Sequence, residues 1–255
     1  MLLSLSQLYS QVPRQKIVNV GFDMGLAHYT LSDRMLNYYN YSANTFSPIN
    51  IHVYSFGEKN MHFGNFYFQN PQLTMSQSSD YYQYNHLNLV DFGANYEYYS
   101  RVFSTNKLQG IYLGGAFNFS GVYIIEKYEN DLWPLGNENY QYSYDYLANI
   151  AANVLVRYAI RRNVFVFKTG LGLISYAKRP DDYFVKYGGM SSLKNGEFFW
   201  LSEYQNINTS LIYHYDLSER ISFKFEWLNC FRSNRFYLDF KYLKQSYLAG
   251  VSYKL

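Results

Sequence analysis

The last eleven residues, Gln245 to Leu255 (QSYLAGVSYKL), alternate from one end to the other. Tyr247, Ala249, Val251, Tyr253 and Leu255 fall on one face. Ser246, Gly250, Ser252 and Lys254 fall on the other, with Leu248 the one apolar residue among them. Successive side chains of an extended strand point to opposite sides, so this segment is a two-faced strand of about the length a bilayer crossing needs. Half-buried strands in soluble sheets alternate too, and one such segment decides nothing. Repetition supplies the constraint, because the pattern returns along nearly the whole chain.

Tyr144, Tyr146, Ala148, Ile150, Ala152, Val154, Val156, Tyr158 and Ile160 share a face, with tyrosines near both ends and aliphatics between. That is an aromatic girdle drawn on one strand. The other face carries Asp145, Asn149, Asn153 and Arg157. Phe165, Phe167, Leu171 and Leu173 likewise oppose Lys168, Gly170 and Gly172, and Ile221, Phe223, Phe225 and Trp227 oppose Ser222, Lys224 and Glu226. Val90 to Tyr98 repeat the theme against Asp91, Gly93, Asn95 and Glu97. So do Val18 to Leu26 against Asn19, Gly21, Asp23 and Gly25.

Periodicity alone does not say which face is inside; composition does. Aromatic residues make up 21% of the chain, with 31 Tyr and 20 Phe, and charged residues only 16%. Soluble domains carry about 25% charged residues. Large rings on every strand are too much volume for the interior of eight or ten strands, whereas the glycine-rich polar face suits a tightly filled lumen. The apolar face therefore meets lipid, the reverse of a lipocalin-like barrel.

Arg161 to Asn163 and Asp216 to Glu219 are sharp turn signals, with Ser104 to Lys107 and Gly57 to Asn60 as further candidates. Longer polar segments lie between them, at 32–48, 70–85, 127–141, 178–203 and 231–244. Short and long connections alternate, as in outer-membrane barrels with short periplasmic turns and long extracellular loops. The reading is all-β: a closed antiparallel transmembrane β-barrel of ten strands, near 17–30, 49–57, 61–69, 86–101, 108–125, 143–160, 163–178, 203–216, 219–231 and 245–255. If residues 49–69 form an extracellular excursion, eight strands remain.

Residues 17–255 form a single barrel, and residues 1–16 read as a signal-peptide remnant and N-terminal extension, although the basic segment of a leader is missing. The net charge of +3 is scattered, which excludes a nucleic-acid surface. Cys230 is the sole cysteine and has no partner for an internal disulfide.

Folded this way, Asp23, Asp91, Glu97, Asp145 and Glu226 point inward with Arg157, Lys168, Lys224 and Lys254. Charges in a narrow lumen must pair or be hydrated. The reading is a salt-bridged plug, with a narrow hydrated conduit as the alternative. Among enzymes, a rim-located lipid hydrolase or acyltransferase needs a hydroxyl, a histidine and an orienting acid. His28, Ser32 and Asp33, in AHYTLSD, are the best local set, yet such residues meet often by chance. His52, His62 and His86 do not match a metal-ligand spacing, and no metal or cofactor is expected. Trp133, Trp200, SSDYYQYN (78–85) and NYSANTF (40–46) offer exposed rings that suit a glycan or a membrane-protein partner.

Through GVSYKL at the C-terminus and GIYLGGAFNFSG at 110–121, the chain resembles the small outer-membrane β-barrels of Gram-negative bacteria, with the Tyr- and Asn-rich flavour of those of the Bacteroidota. The resemblance covers most of 17–255. It implies residence in the cell outer membrane among its lipids, recognition of the last strand by the barrel-insertion machinery, and no cofactor. Many such barrels end in Phe, where this chain has Leu255. The resemblance implies no reaction, so the function expected is that of a non-enzymatic structural, accessory-subunit or surface-binding protein.

Overall fold

The computed structural model describes residues 17–33, 40–57, 59–75, 86–106, 109–128, 139–178, 196–234 and 240–255. The leader-like segment 1–16, the loop piece 78–85 and Trp133 lie outside them. Twelve strands are described: β1 (Ile17–Asp33), β2 (Asn40–Phe56), β3 (Asn60–Gln69), β4 (Gln72–Met75), β5 (His86–Asn106), β6 (Gln109–Tyr128), β7 (Asn139–Ile160), β8 (Asn163–Lys178), β9 (Glu197–Trp200), β10 (Tyr204–Asp216), β11 (Ile221–Asn234) and β12 (Phe240–Lys254). Among the described residues no helix is long and apolar enough to cross a membrane.

All pairings are antiparallel and belong to one sheet. Its order is β1-β12-β11-β10-β8-β7-β6-β5-β3-β2, and β1 is bonded to β12 on one edge and to β2 on the other. Two short strands extend longer ones. β4 follows β3 after Asn70 and Pro71 and pairs with the same neighbours, β2 and β5. β9 pairs with β8 and leads into β10 through residues 201–203.

The short turns fall where the sequence puts them. Ile160 pairs with Asn163 across a two-residue hairpin, and Arg161 takes a φ of 51° there, as the tightest hairpin turns require. At the β10–β11 turn the Ser218 hydroxyl accepts from the backbone N–H of Ile221 at 3.0 Å. Both turns sit at the end of the sheet that holds the C-terminus.

The expected long connections at 32–48 and 231–244 are corrected. β2 already begins at Asn40 and β12 at Phe240, so NYSANTF is strand. Between Asp23 and Gly25 the register of β1 against β2 jumps from Asn50 to Ser47. This bulge, at Pro48, reverses the alternation of β2 and hides its continuity from a period-two reading. The alternative excursion over 49–69 is not seen either, because residues 50–56 pair with β1 and β3 and residues 61–68 with β2 and β5.

The two faces differ as expected. Leu26 is 64% exposed, Phe225 54% and Phe117 56%, whereas Asp23, Asp91 and Asp145 are 0% exposed. A soluble sheet shows the opposite assignment. Apolar rings stand outward along the sheet, and the carboxylates point inward.

Candidate functional site: the polar interior

Side chains from strands far apart in the sheet order meet behind that outward face. Asp91 of β5 receives Lys244 and Tyr242 of β12 at 2.8 and 2.9 Å and Tyr29 of β1 at 3.1 Å, all on Oδ2. The Tyr29 hydroxyl is also hydrogen-bonded to the Gln69 amide of β3. Asp145 of β7 accepts from Tyr204 Oη of β10 at 2.7 Å and faces the Arg232 guanidinium of β11 at 3.9 Å. Glu97 of β5 pairs with Lys168 of β8 at 3.0 Å. None of these ion-paired strands is an immediate neighbour of its partner, so the sheet wraps around a filled interior.

A second cluster lies nearer the C-terminal end, on the adjacent strands β2, β1, β12 and β11. Lys224 Nζ is 2.6 Å from both Asp23 Oδ2 and Glu226 Oε2. His52 Nδ1 donates to Asp23 Oδ2 at 3.0 Å, because a carboxylate only accepts, and Nε2 accepts from Ser252 Oγ at 2.8 Å. Two glycines open the space. A Cβ at Gly250 would collide with the Asp23 carboxylate, and one at Gly21 with the His52 ring. Serine, histidine and aspartate in that connectivity make up a nucleophile relay elsewhere. Here each is 0% exposed and none lines the interior cavity, so no substrate reaches the hydroxyl. The three act as a clasp across the strands where β1 and β12 meet.

The interior is layered. Toward the C-terminal end, Tyr54, Met61, Phe63 and Tyr99 belong to one apolar cluster, and the Lys168 ammonium lies 4.6 Å from the Phe63 ring centre. At the opposite end Leu31, Leu73, Leu87 and Phe240 belong to another. Between them is a cavity of about 90 Å³ lined by Asn65, Asn95, Asn118, Asn153 and Asn206 beside the Glu97–Lys168 pair. A space of that size has room for several water molecules. The Oδ1 atoms of Asn65, Asn95, Asn153 and Asn206 have no protein partner, which fits such occupants.

The residues expected inward are placed as follows. Asp23, Asp91, Glu97, Asp145, Lys224 and Glu226 are buried, and Lys168 is half-buried. Arg157 stacks on Phe56, with its guanidinium carbon 5.5 Å from the ring centre. Lys254 pairs with Asp216 at 2.6 Å, at the end of the sheet. The sequence reading missed Arg232, Lys244 and His52. The first two fell in an assumed loop, although Tyr242, Lys244 and Ser246 continue the inward phase of β12.

His28 is not joined to its expected partners. It stands on the outward face and donates from Nδ1 to Asn44 Oδ1 at 2.8 Å. Four residues of extended strand put about 13 Å between His28 and Ser32, too far for a hydrogen bond, and Asp33 ends β1. His62 faces outward and bonds Tyr96 Oη at 2.7 Å, whereas His52 faces inward. His86 begins β5, and its side chain lies outside the described residues. Among the described residues no group of three His, Cys, Asp or Glu is placed to hold a metal.

No family model matches the chain, and no curated protein matches it. Among solved structures it is similar to the translocator domain of the autotransporter NalP from Neisseria meningitidis, at 9% identity and a TM-score of 0.48, covering 98% of this chain and 92% of that one. It is also similar to the attachment invasion locus protein Ail of Yersinia pestis, at 8% identity and a TM-score of 0.38, covering 93% and 99%. A third is the outer membrane protease OmpT of Escherichia coli, at 6% and 0.43, covering 95% and 98%. Likeness at this level carries no functional argument. The protein's own surface does: an antiparallel sheet with rings outward and paired charges inward is built for a hydrocarbon solvent. The chain is an all-β, antiparallel, membrane-associated sheet that resembles the outer-membrane barrels in fold.

Proposed function

We propose that the protein is a closed ten-stave barrel of the outer membrane that conducts nothing and acts as a structural, accessory-subunit or surface-binding protein. The bonding of β1 to both β12 and β2 supports closure. Counting β3 with β4 and β9 with β10 as single staves supports the number. One observation carries the function: the interior is ion-paired along its length, with an apolar cluster toward each end. A pore needs a continuous wet path, and open diffusion channels need about 16 strands. Insertion by the barrel-insertion machinery follows from the alternating last strand. The tyrosine- and asparagine-rich strands favour a place among the barrels of the Bacteroidota, and exposed rings such as Phe198 and Trp200 at the rim suit a glycan or complex partner.

The cavity of about 90 Å³ is the observation behind a narrow conduit, the second reading. Planar bilayers separate the two. The purified protein is expected to give no discrete conductance in molar salt, and regular single-channel steps would replace the plug with the conduit.

A further inference from the structure

One row of the outward face does not belong in hydrocarbon. Thr169 of β8 is in register with Thr209 of β10, Thr209 with Asn229 of β11, and Asn229 with Gln245 of β12. Gln245 is in register with His28 of β1, and His28 with Asn44 of β2. All six side chains alternate with inward ones, so all six share the outward face.

The rows on either side show that this is not simply the upper limit of the membrane. Below it run Phe167, Leu211, Trp227, Tyr247, Leu26 and Phe46, every one apolar or aromatic. Above it, on β8, β10, β11 and β12, run Leu171, Ile207, Phe231 and Leu243. The polar row is therefore enclosed by apolar rows over four strands. Only at β1 and β2 does it open onto further polar residues, Thr30 and Ser42. A row of registered residues climbs relative to the axis of a tilted sheet. Thr169 lies six residues from the start of β8 and Asn44 twelve from the end of β2. Thus the row runs obliquely from the headgroup level down into the apolar belt.

Polar side chains at that depth are uncommon, and where they occur they bond across a packed interface. Part of the row satisfies itself: Thr169 and Thr209 hydroxyls are 3.3 Å apart, and His28 donates to Asn44. At its centre the Oδ1 of Asn229 has no hydrogen-bond partner within the chain.

We propose that this row is an association surface for a second copy of the chain. It rests on the membrane reading above. Each group in the row both donates and accepts hydrogen bonds, so the row is complementary to itself, and it carries no Lys, Arg, Asp or Glu that would repel its copy. Two copies in one membrane are related by an axis along its normal. The two oblique rows then cross, and Asn229 and Gln245 at the middle of each meet their counterparts. A lipid headgroup does not fit, because apolar rows enclose the centre of the row on both sides.

A photoreactive amino acid at Gln245, in the full chain in cell membranes, tests this, with the same probe at Phe117 as control. The Gln245 probe is expected to give an adduct of twice the chain mass that contains this chain alone, and the Phe117 probe to give lipid adducts only. Lipid adducts alone at Gln245 would overturn the proposal, as would an adduct to a different protein. No lipid labelling at Phe117 would sink the membrane reading itself and the proposal with it. In nanodiscs the double variant Asn229→Leu/Gln245→Leu is expected to self-associate at least tenfold more weakly while migrating as folded barrel before heating. Unchanged association of that variant would also overturn the proposal.

Discussion

Lys224 is the residue on which the clasp depends, and replacing it by methionine gives the sharpest test of the interior. Its side chain is 1% exposed, and its ammonium touches two carboxylates, Asp23 and Glu226, at 2.6 Å each. Lys224→Met keeps most of the side-chain volume and leaves both acids buried without their cation. Removing one partner of a buried pair costs about 3–5 kcal/mol, and here one cation serves two acids, so the upper half of that range is expected. Asp23→Asn is different. Lys224 keeps Glu226, and an amide oxygen still accepts from His52, so the cost is that of one weakened buried hydrogen-bond set, about 1–3 kcal/mol.

The triple variant Lys224→Met/Asp23→Asn/Glu226→Gln removes every formal charge of the cluster. It is expected to regain most of the loss, because a buried charge is costly chiefly when unpaired. Urea unfolding in lipid bilayers, followed by tryptophan fluorescence and by the mobility of unheated samples on gels, measures all three. If Lys224→Met does not fold, folding of the triple variant gives the same answer. A Lys224→Met variant within about 0.5 kcal/mol of the parent, or a triple variant no better than the single one, would refute the account.

Further outcomes follow from the packing. Gly25→Ala places a Cβ against the backbone of Tyr247 and is expected to lose about 1–3 kcal/mol, whereas Gly64→Ala, whose nearest contacts are 3.8 and 3.9 Å away, is expected to be neutral in the same assay. Truncating the C-terminal apolar cluster with Tyr54→Ala/Phe63→Ala is expected to produce ion leakage in planar bilayers that the parent lacks; continued silence would mean that the charged layers alone seal the interior. Cys230 faces inward and is 8% exposed, so a maleimide is expected to label it only after unfolding, and rapid labelling of the folded protein would place it outside. His28→Leu is expected to leave lipid turnover in the membrane unchanged, and a loss of turnover would restore a catalytic role for the outward rim.

Long, uninterrupted strands were legible in the chain because their alternation is strict. Val18 to Leu26, Tyr144 to Ile160 and Gln245 to Leu255 fall on the faces that their sequence dictates. Alternation fails as a guide where one extra residue intrudes. At Pro48 the outward phase of β2 passes from Phe46 to Ile49, and a polar stretch that is strand reads as loop. In β8 the partner of Ile150 skips Leu173, after which Ser175 and Ala177 turn inward. Beyond the tight hairpins, which side chains meet across strands was not legible. Asp23, His52, Lys224 and Ser252 are scattered over most of the chain, and only the register of β2, β1, β12 and β11 joins them.

Alternation also explains why the interior and the outward polar row call for different accounts. An inward Asp or Lys is surrounded by other strands' side chains, so its partner is already fixed when the sheet wraps, as Asp91 finds Lys244 and Tyr242. Outward positions have neighbours only along their own sheet, about 4.5–5.5 Å away across adjacent strands, and above those neighbours lies whatever solvent or molecule the face meets. Thr169 and Thr209 satisfy each other within that reach. The Asn229 oxygen does not, although Gln245 stands beside it in register. A carboxamide pair held between apolar rows gains nothing from lipid, whereas a matching pair on a second barrel supplies both donors and acceptors. The row is thus where this outward surface departs from what the bilayer alone would favour.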